Sequence, residues 1–415
     1  MTSPAAAWPT RPGPALAAML GVQVLATLAL VSASVLAPAV APRLGLSPAR
    51  IGLYMALAYL AAMLAGLRCG HWVARHGPVR VSQMALAASA LGAAGAAASA
   101  QVPSAAGLAV SLLSAAMAIG IGYGLVNPAA AAVLSHHAPL HARGLFFSIK
   151  QTGVPVGVAL AGLLMPAGLA WIDWQATALG VAAACTLAVV ALQPLRRLLD
   201  PQARTEATAS HSVGALLRRV WHTPALRRLS LASLAYAGTQ QAFVTFLVSL
   251  LNLGLGWTLA LAASVLSASQ LVATGARIGF GALADRWGAP RRLLAQLGGA
   301  MTVACLALAL LSAVDHPPTA LVVAVALGCA ATAMGWNGVF FAELARCVPA
   351  PEIAPVAGAT QFFTFAGGML GPLLFGEALR AGSGWPWAWC ALAVAPASAA
   401  VMMMARGRGA SPGTR

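Results

Sequence analysis

The chain contains one lysine, Lys150, in the run FFSIKQTGVPVG, where every other residue is apolar or neutral. A second cation, Arg277, stands in an equally apolar run, one helical turn before Gly281. An ammonium is a compact point charge, and a guanidinium is a planar fork that matches a carboxylate. Two such groups facing one cavity would grip a small anion. Neutral polar residues in nearby apolar runs could add hydrogen bonds: Gln151, Tyr123, Asn127, Gln240, Gln241, Trp336 and Asn337, with Gln23, Thr27, Tyr236 and Gln270. Hydrogen bonding between helices is the alternative role for each.

The elements that must position these groups follow from composition. Of the 415 residues, 60% are hydrophobic and 8% charged, against roughly 25% charged in an ordinary soluble domain. No soluble surface can be built from so few charges. Apolar runs of about 20 residues, enough to cross a roughly 30 Å hydrocarbon core as helices, recur from end to end. Runs at 14–40, 50–71, 79–101, 106–134, 145–169 and 175–194 predict six helices, and 226–252, 259–282, 292–313, 318–346, 355–380 and 385–405 predict six more. The expected fold is an all-α integral membrane protein with 12 transmembrane helices in two pseudo-symmetric six-helix bundles, 1–194 and 226–415, joined by a linker at 195–225. The linker region is rich in arginine, and 213–221 predicts either an amphipathic surface helix or a solvated connector.

The formal net charge of +16 does not indicate nucleic acid, because the basic residues fall in short loops. If the N-terminus is cytoplasmic, that side collects Arg11, Arg75, Arg80, Arg143, the linker arginines, Arg286, Arg291, Arg292, Arg406, Arg408 and Arg415, and the other side only Arg43, Arg50 and Arg380. Positive loops stay inside, so both termini and the linker are expected on the cytoplasmic side of the plasma (inner) membrane. The first apolar run, Pro14 to Ala41, is too long for a cleaved signal. Six cysteines inside or beside apolar runs read as small hydrophobes, and the histidines map to loops without metal-ligand spacing. No cofactor or metal is expected.

The stretch GHWVARHGPVR from Gly70 resembles GALADRWGAPR from Gly281 at an offset of 211 (281 minus 70), and Phe146-Phe147-Ser148 resembles Phe362-Phe363-Thr364 at 216 (362 minus 146). The halves are duplicates. The resulting pattern, twelve helices with a loop signature after the second helix of each half, resembles the major facilitator superfamily of secondary transporters. The second signature is full, with Gly281, Asp285, Arg286, Gly288, Arg291 and Arg292; the first keeps Gly70, Arg75, Gly77 and Arg80 but has Ala74 in place of Asp. The resemblance implies that these loops latch the cytoplasmic ends of the halves, with Asp285 near Arg143 or Arg346. It also implies that Gly and Pro in the fifth and eleventh helices let them rock, plain small-residue packing being the alternative.

Neither Lys150 nor Arg277 is demanded by the fold, since their repeat positions hold Ala366 and Gly66. A charge in the hydrocarbon region costs about 2.5–3.5 kcal/mol on insertion scales. Lys150, about six residues from a helix end, either faces the cavity or snorkels to the interface. Arg277 either belongs to the loop cluster or, as in superfamily carriers of oxalate and monocarboxylates, holds substrate. The expected function is transport of a small organic anion by alternating access, as a monomer in a lipid bilayer, with protons as an open coupling partner; a broad-specificity exporter of hydrophobic compounds is the rival. Eight acidic residues in all speak against a membrane enzyme.

Overall fold

The structure is a computed structural model that describes residues 11–139, 143–200, 213–349 and 353–405, with the side chains of 143–145, 148, 213, 285 and 353–355 outside that description. Every regular element among these residues is helical: α1 (Pro12–Val40), α2 (Ile51–His76), α3 (Pro78–Ala98), α4 (Ala105–His137), α5 (Arg143–Gln151), α6 (Gly153–Trp171), α7 (Trp174–Leu199), α8 (Val213–His222), α9 (Pro224–Ser249), α10 (Leu259–Trp287), α11 (Pro290–Ala313), α12 (Thr319–Cys347), α13 (Ile353–Arg380) and α14 (Gly384–Met404). Twelve spans are long and apolar enough to cross a membrane. The protein is an all-α, multi-pass membrane protein.

Local chemistry sets the helix ends. Proline occupies the first turn of α1, α3 and α11, where its missing N–H has no intrahelical partner to lose. Ser104 caps α4 by accepting from the Gly107 N–H at 3.1 Å, and Asp173 caps α7 by accepting from Ala176 at 2.6 Å. The turns after α2 and α10 each need a positive φ, +85° at Gly77 and +58° at Gly288. These two glycines lie 211 residues apart (288 minus 77), the offset of the sequence repeat.

Three boundaries differ from expectation. α2 continues to His76 and α7 to Leu199, because a histidine or arginine at the water-facing end of a helix does not break it, whereas Gly77 does. The fifth apolar run is two helices with Thr152 between them; Pro155 has no N–H to donate to the Gln151 carbonyl, so the ladder opens there. Linker segment α8 is no solvated connector. Its Val220 is fully buried and Leu216 and Leu217 pack on the core of α9, α11 and α12, while Trp221 stacks on Phe363 with ring centroids 6.4 Å apart.

The described chain forms two compact units. Of the described residues, unit 1 holds those up to 200 with 244–271 and 372–382; unit 2 holds 213–243, 272–371 and 383–405. In unit 1, α3 packs on α4 and α7, α2 on α4, and α1 on α6. His137, wholly buried, ties three helix ends together: its Nδ1 accepts from the Arg11 N–H at 3.2 Å, and its Nε2 lies 3.1 Å from the Leu199 carbonyl. The end of the unit that carries the start of α1 also carries the ends of α4 and α7. At the opposite end, second-half segments pack on first-half helices. Gly52 of α2 presses against the Pro372 backbone, and the Ser267 hydroxyl of α10 donates to the Ala159 carbonyl of α6 at 2.9 Å. In unit 2, α11 packs on α12 and α14.

Candidate functional site

In unit 1, α6 lies close along α1. A Cβ on Gly153 would come within 2.8 Å of the Gln23 side chain, so only glycine lets the helices approach so nearly. That approach carries Lys150, just before the helix break, onto Gln23. The Lys150 Nζ donates to Gln23 Oε1 at 2.6 Å and to Asn127 Oδ1 of α4. Gln23 in turn donates from Nε2 to the Thr27 hydroxyl at 3.1 Å. Lys150 is 2% exposed; it does not snorkel. Gln23 lies eleven residues into α1 and Asn127 ten residues before the end of α4, which at 1.5 Å per residue puts the ammonium about 15 Å from the helix ends. The side chain is buried among helices, well away from their ends.

Among the described residues its surroundings are neutral. Both partners of Lys150 are amide oxygens, and the acids described in the spans lie at helix ends: Glu377 pairs with Arg380, and Glu343 lies near Arg346 and Arg291. Tyr123, one turn before Asn127 on the same face of α4, is buried and packs edge-on against Tyr59 of α2 with centroids 6.1 Å apart. Gln151 is exposed and does not join the cluster.

Unit 2 gathers the second-half candidates. Trp336 of α12, 2% exposed, donates from Nε1 to Gln240 Oε1 of α9 at 3.2 Å and packs against Tyr236 at 5.8 Å. The Tyr236 hydroxyl donates to the Leu294 carbonyl at 2.8 Å. Arg277 of α10, half-buried, donates from Nε to the Met334 carbonyl at 3.0 Å, and Asn337 donates to the same carbonyl at 3.2 Å. Gln241, beside Gln240, is half-buried. Arg277, Asn337, Trp336 and Gln240 therefore share one region of α9, α10 and α12.

The loop signatures are built differently from one another. In the second, the Arg346 guanidinium donates to the Gly288 carbonyl at 3.1 Å. Arg291 donates to the Met403 carbonyl at 2.9 Å and also to that of Ala405, so the turn is bound to the ends of α12 and α14. Arg286 is exposed, and the expected pairing of Asp285 with Arg143 lies outside the described side chains. In the first, where Ala74 replaces the acid and Arg75 is exposed, Asp200 at the end of α7 supplies a carboxylate. Its Oδ1 accepts from the Val79 N–H, first turn of α3, at 2.7 Å, and its Oδ2 lies 3.6 Å from Arg196 Nε. Burial pushes the Asp200 carboxyl above the usual carboxylate range, against the opposing pull of Val79 and Arg196. Sequence reading missed this residue; an acid four positions after Arg196, directly past the sixth apolar run, was the available signal.

Comparison with known proteins places this architecture. The sequence profile of the Major Facilitator Superfamily matches residues 19–372. An uncharacterized MFS-type transporter of Mycobacterium tuberculosis, from strains CDC 1551 / Oshkosh and ATCC 25618 / H37Rv, is 32% identical over 200 residues, which is 48% of this chain and 42% of the relative. The match spans less than half of that relative's length. Among solved structures, a bacterial homologue of the human lysosomal transporter Spinster superposes with a TM-score of 0.76 at 17% identity, covering 95% of this chain and 97% of that one. The nucleoside transporter NupG gives 0.72 at 17%, covering 93% and 99%. A peptide transporter in complex with sulfate gives 0.71 at 14%, covering 96% of each chain. These likenesses concern the fold, whereas the profile match runs through both repeats: the chain belongs to the Major Facilitator Superfamily.

Proposed function

We propose that this protein is a secondary active transporter that moves a small organic anion, a carboxylate, across the plasma membrane. The repeat halves 1–194 and 226–415 are the moving bodies, acting by alternating access within one monomer, with both termini and the linker cytoplasmic. The observation that carries the substrate class is the Lys150 ammonium, buried in the membrane interior on two neutral amide oxygens. A charge so placed costs several kcal/mol, its neighbours among the described residues supply dipoles but no countercharge, and an anionic substrate completes it. Gln23 and Asn127 hold that ammonium, and Tyr123 lies one turn from Asn127 on the same face of α4. Arg277 provides the second cation, its guanidinium plane fixed by the Met334 carbonyl, with Gln240, Gln241, Trp336 and Asn337 as its polar surroundings. Held in this way, a fork-shaped donor suits a carboxylate. The loops at 70–80 and 281–292 act as the latch of the linker side.

Ligand-induced stabilisation tests the reading. Purified protein is heated in the presence of mono- and dicarboxylates, because a ligand at 100 times its Kd adds about 2.7 kcal/mol to stability. At least one small carboxylate raises the melting temperature of wild type and fails to raise that of Lys150→Met. Equal shifts in both proteins would contradict the assignment.

A further inference from the structure

In the first-half bundle, at the end opposite the linker, lies a partly open cavity of about 190 Å³ lined by α1, α2, α3, α4, α7 and the segment between α1 and α2. Small and apolar residues form its walls, among them Ala33, Leu36, Ala93, Leu113 and Ala178, and among the described residues Arg50 is the one charged residue that lines it. It belongs wholly to unit 1 and contains none of the residues assigned above to transport. Tyr54 also lines it. The Tyr54 side chain is 8% exposed, and its buried hydroxyl has no hydrogen-bond partner among the described residues. A buried hydroxyl without a partner is unfavourable, and apolar walls do not hold water well. Arg50, in the short helical turn that leads into α2, and Tyr54, in the first turn of α2, are four residues apart, the spacing that places side chains one above the other.

We infer that this cavity is a binding site for a single-chain amphiphile with an anionic head, a long-chain fatty-acid carboxylate. About 10–15 Å³ of such space admits one water-sized group, so the cavity has room for on the order of ten chain atoms. Depth matches the chemistry. The walls lie in the last turns of α1 and the first turns of α2, α4 and α7, so a chain inserted from the interface keeps its carboxylate by Arg50. There the head takes one charge-assisted hydrogen bond from the guanidinium and another from the Tyr54 hydroxyl. The rest of the acyl chain lies on alanine and leucine, as it would in the bilayer. This inference stands independently of the transported substrate.

The test is photolabelling of the full-length protein in phospholipid nanodiscs with a diazirine-bearing palmitic acid, its methyl ester serving as the neutral probe. Labelled peptides are mapped by mass spectrometry. The acid labels peptides from α1 and α4, the methyl ester labels them several-fold less, and Arg50→Gln and Tyr54→Phe each lower acid labelling about fivefold. Ala93→Phe, which fills the cavity, abolishes it; Leu91→Phe, at an exposed position on the same helix, does not. Each variant is first required to elute as a single species with wild-type helicity. Labelling that survives Ala93→Phe, equal labelling by acid and ester, or label spread over the lipid-facing helices as for any bilayer component would overturn the inference.

Discussion

Replacing Asn127 by leucine removes one of the two oxygens that hold the Lys150 ammonium. A hydrogen bond to a charged group contributes about 1.5–3 kcal/mol, and more is lost when the orphaned group cannot reach water. Lys150 is 2% exposed, and its other partner, Gln23, is already engaged with both Lys150 and Thr27. The upper part of the range applies, so Asn127→Leu should destabilise the folded state by about 2–3 kcal/mol. Lys150→Met keeps the volume and removes the charge, which for a buried ion is often neutral or stabilising. Adding Lys150→Met to Asn127→Leu should therefore restore most of the loss, with a coupling energy of about 2 kcal/mol in a double-mutant cycle. Unfolding by titration with sodium dodecyl sulfate in mixed micelles, followed by circular dichroism, measures all four proteins. The reasoning fails if Asn127→Leu lies within about 0.5 kcal/mol of wild type, as expected of a lysine that reaches the interface, or if the two single effects simply add.

Other consequences follow from the same contacts. A Cβ on Gly371 would run into the Gly238 backbone of α9, so Gly371→Ala is expected to lose about 1–3 kcal/mol. Gly275→Ala, with nothing within 4 Å, should gain up to about 1 kcal/mol; the same unfolding titration reads both. The raised Asp200 pKa means the folded state keeps that proton to higher pH than the unfolded chain. Its contribution to stability is therefore full below the ordinary carboxylate pKa and is lost as pH rises through the raised one. Asp200→Asn retains an acceptor for the Val79 N–H and should flatten this slope in melting temperatures measured across the acid range; an unchanged slope would place its origin elsewhere. Arg346→Gln weakens the tie to the Gly288 carbonyl, and initial-rate assays should show kcat reduced at unchanged KM if the loop governs the conformational step.

The twelve spans were legible because apolar runs of the required length are separated by glycine, proline and charge, and each predicted span has its helix at nearly the predicted place. Helix ends were less so. Arginine and histidine mark where the bilayer stops, not where the helix stops, and only the positive φ at Gly77 or the lost donor at Pro155 shows the backbone reason. Within the site, the sequence marks Lys150, Asn127 and Gln23 as polar residues in apolar runs, but the contacts that join them cross 23 and 127 positions. No local spacing encodes that convergence, which depends on how closely Gly153 lets α6 approach α1. The Asp200 cap on α3 spans 121 positions and substitutes for an acid that the local signature lacks at Ala74. Gln151, adjacent to Lys150 in sequence, points elsewhere because consecutive helical residues are about 100° apart around the axis.

The central claim is that a buried ammonium and a fixed guanidinium carry an organic anion. The most direct measurement is uptake of labelled mono- and dicarboxylates by purified protein in liposomes, under an imposed pH gradient and without one, for wild type, Lys150→Ala and Arg277→Ala. The account predicts accumulation of a carboxylate by wild type and its collapse in both variants, while dependence on the gradient identifies protons as the coupling ion. Absence of carboxylate uptake, together with efflux of a hydrophobic cationic dye that is intact in all three proteins, would contradict it.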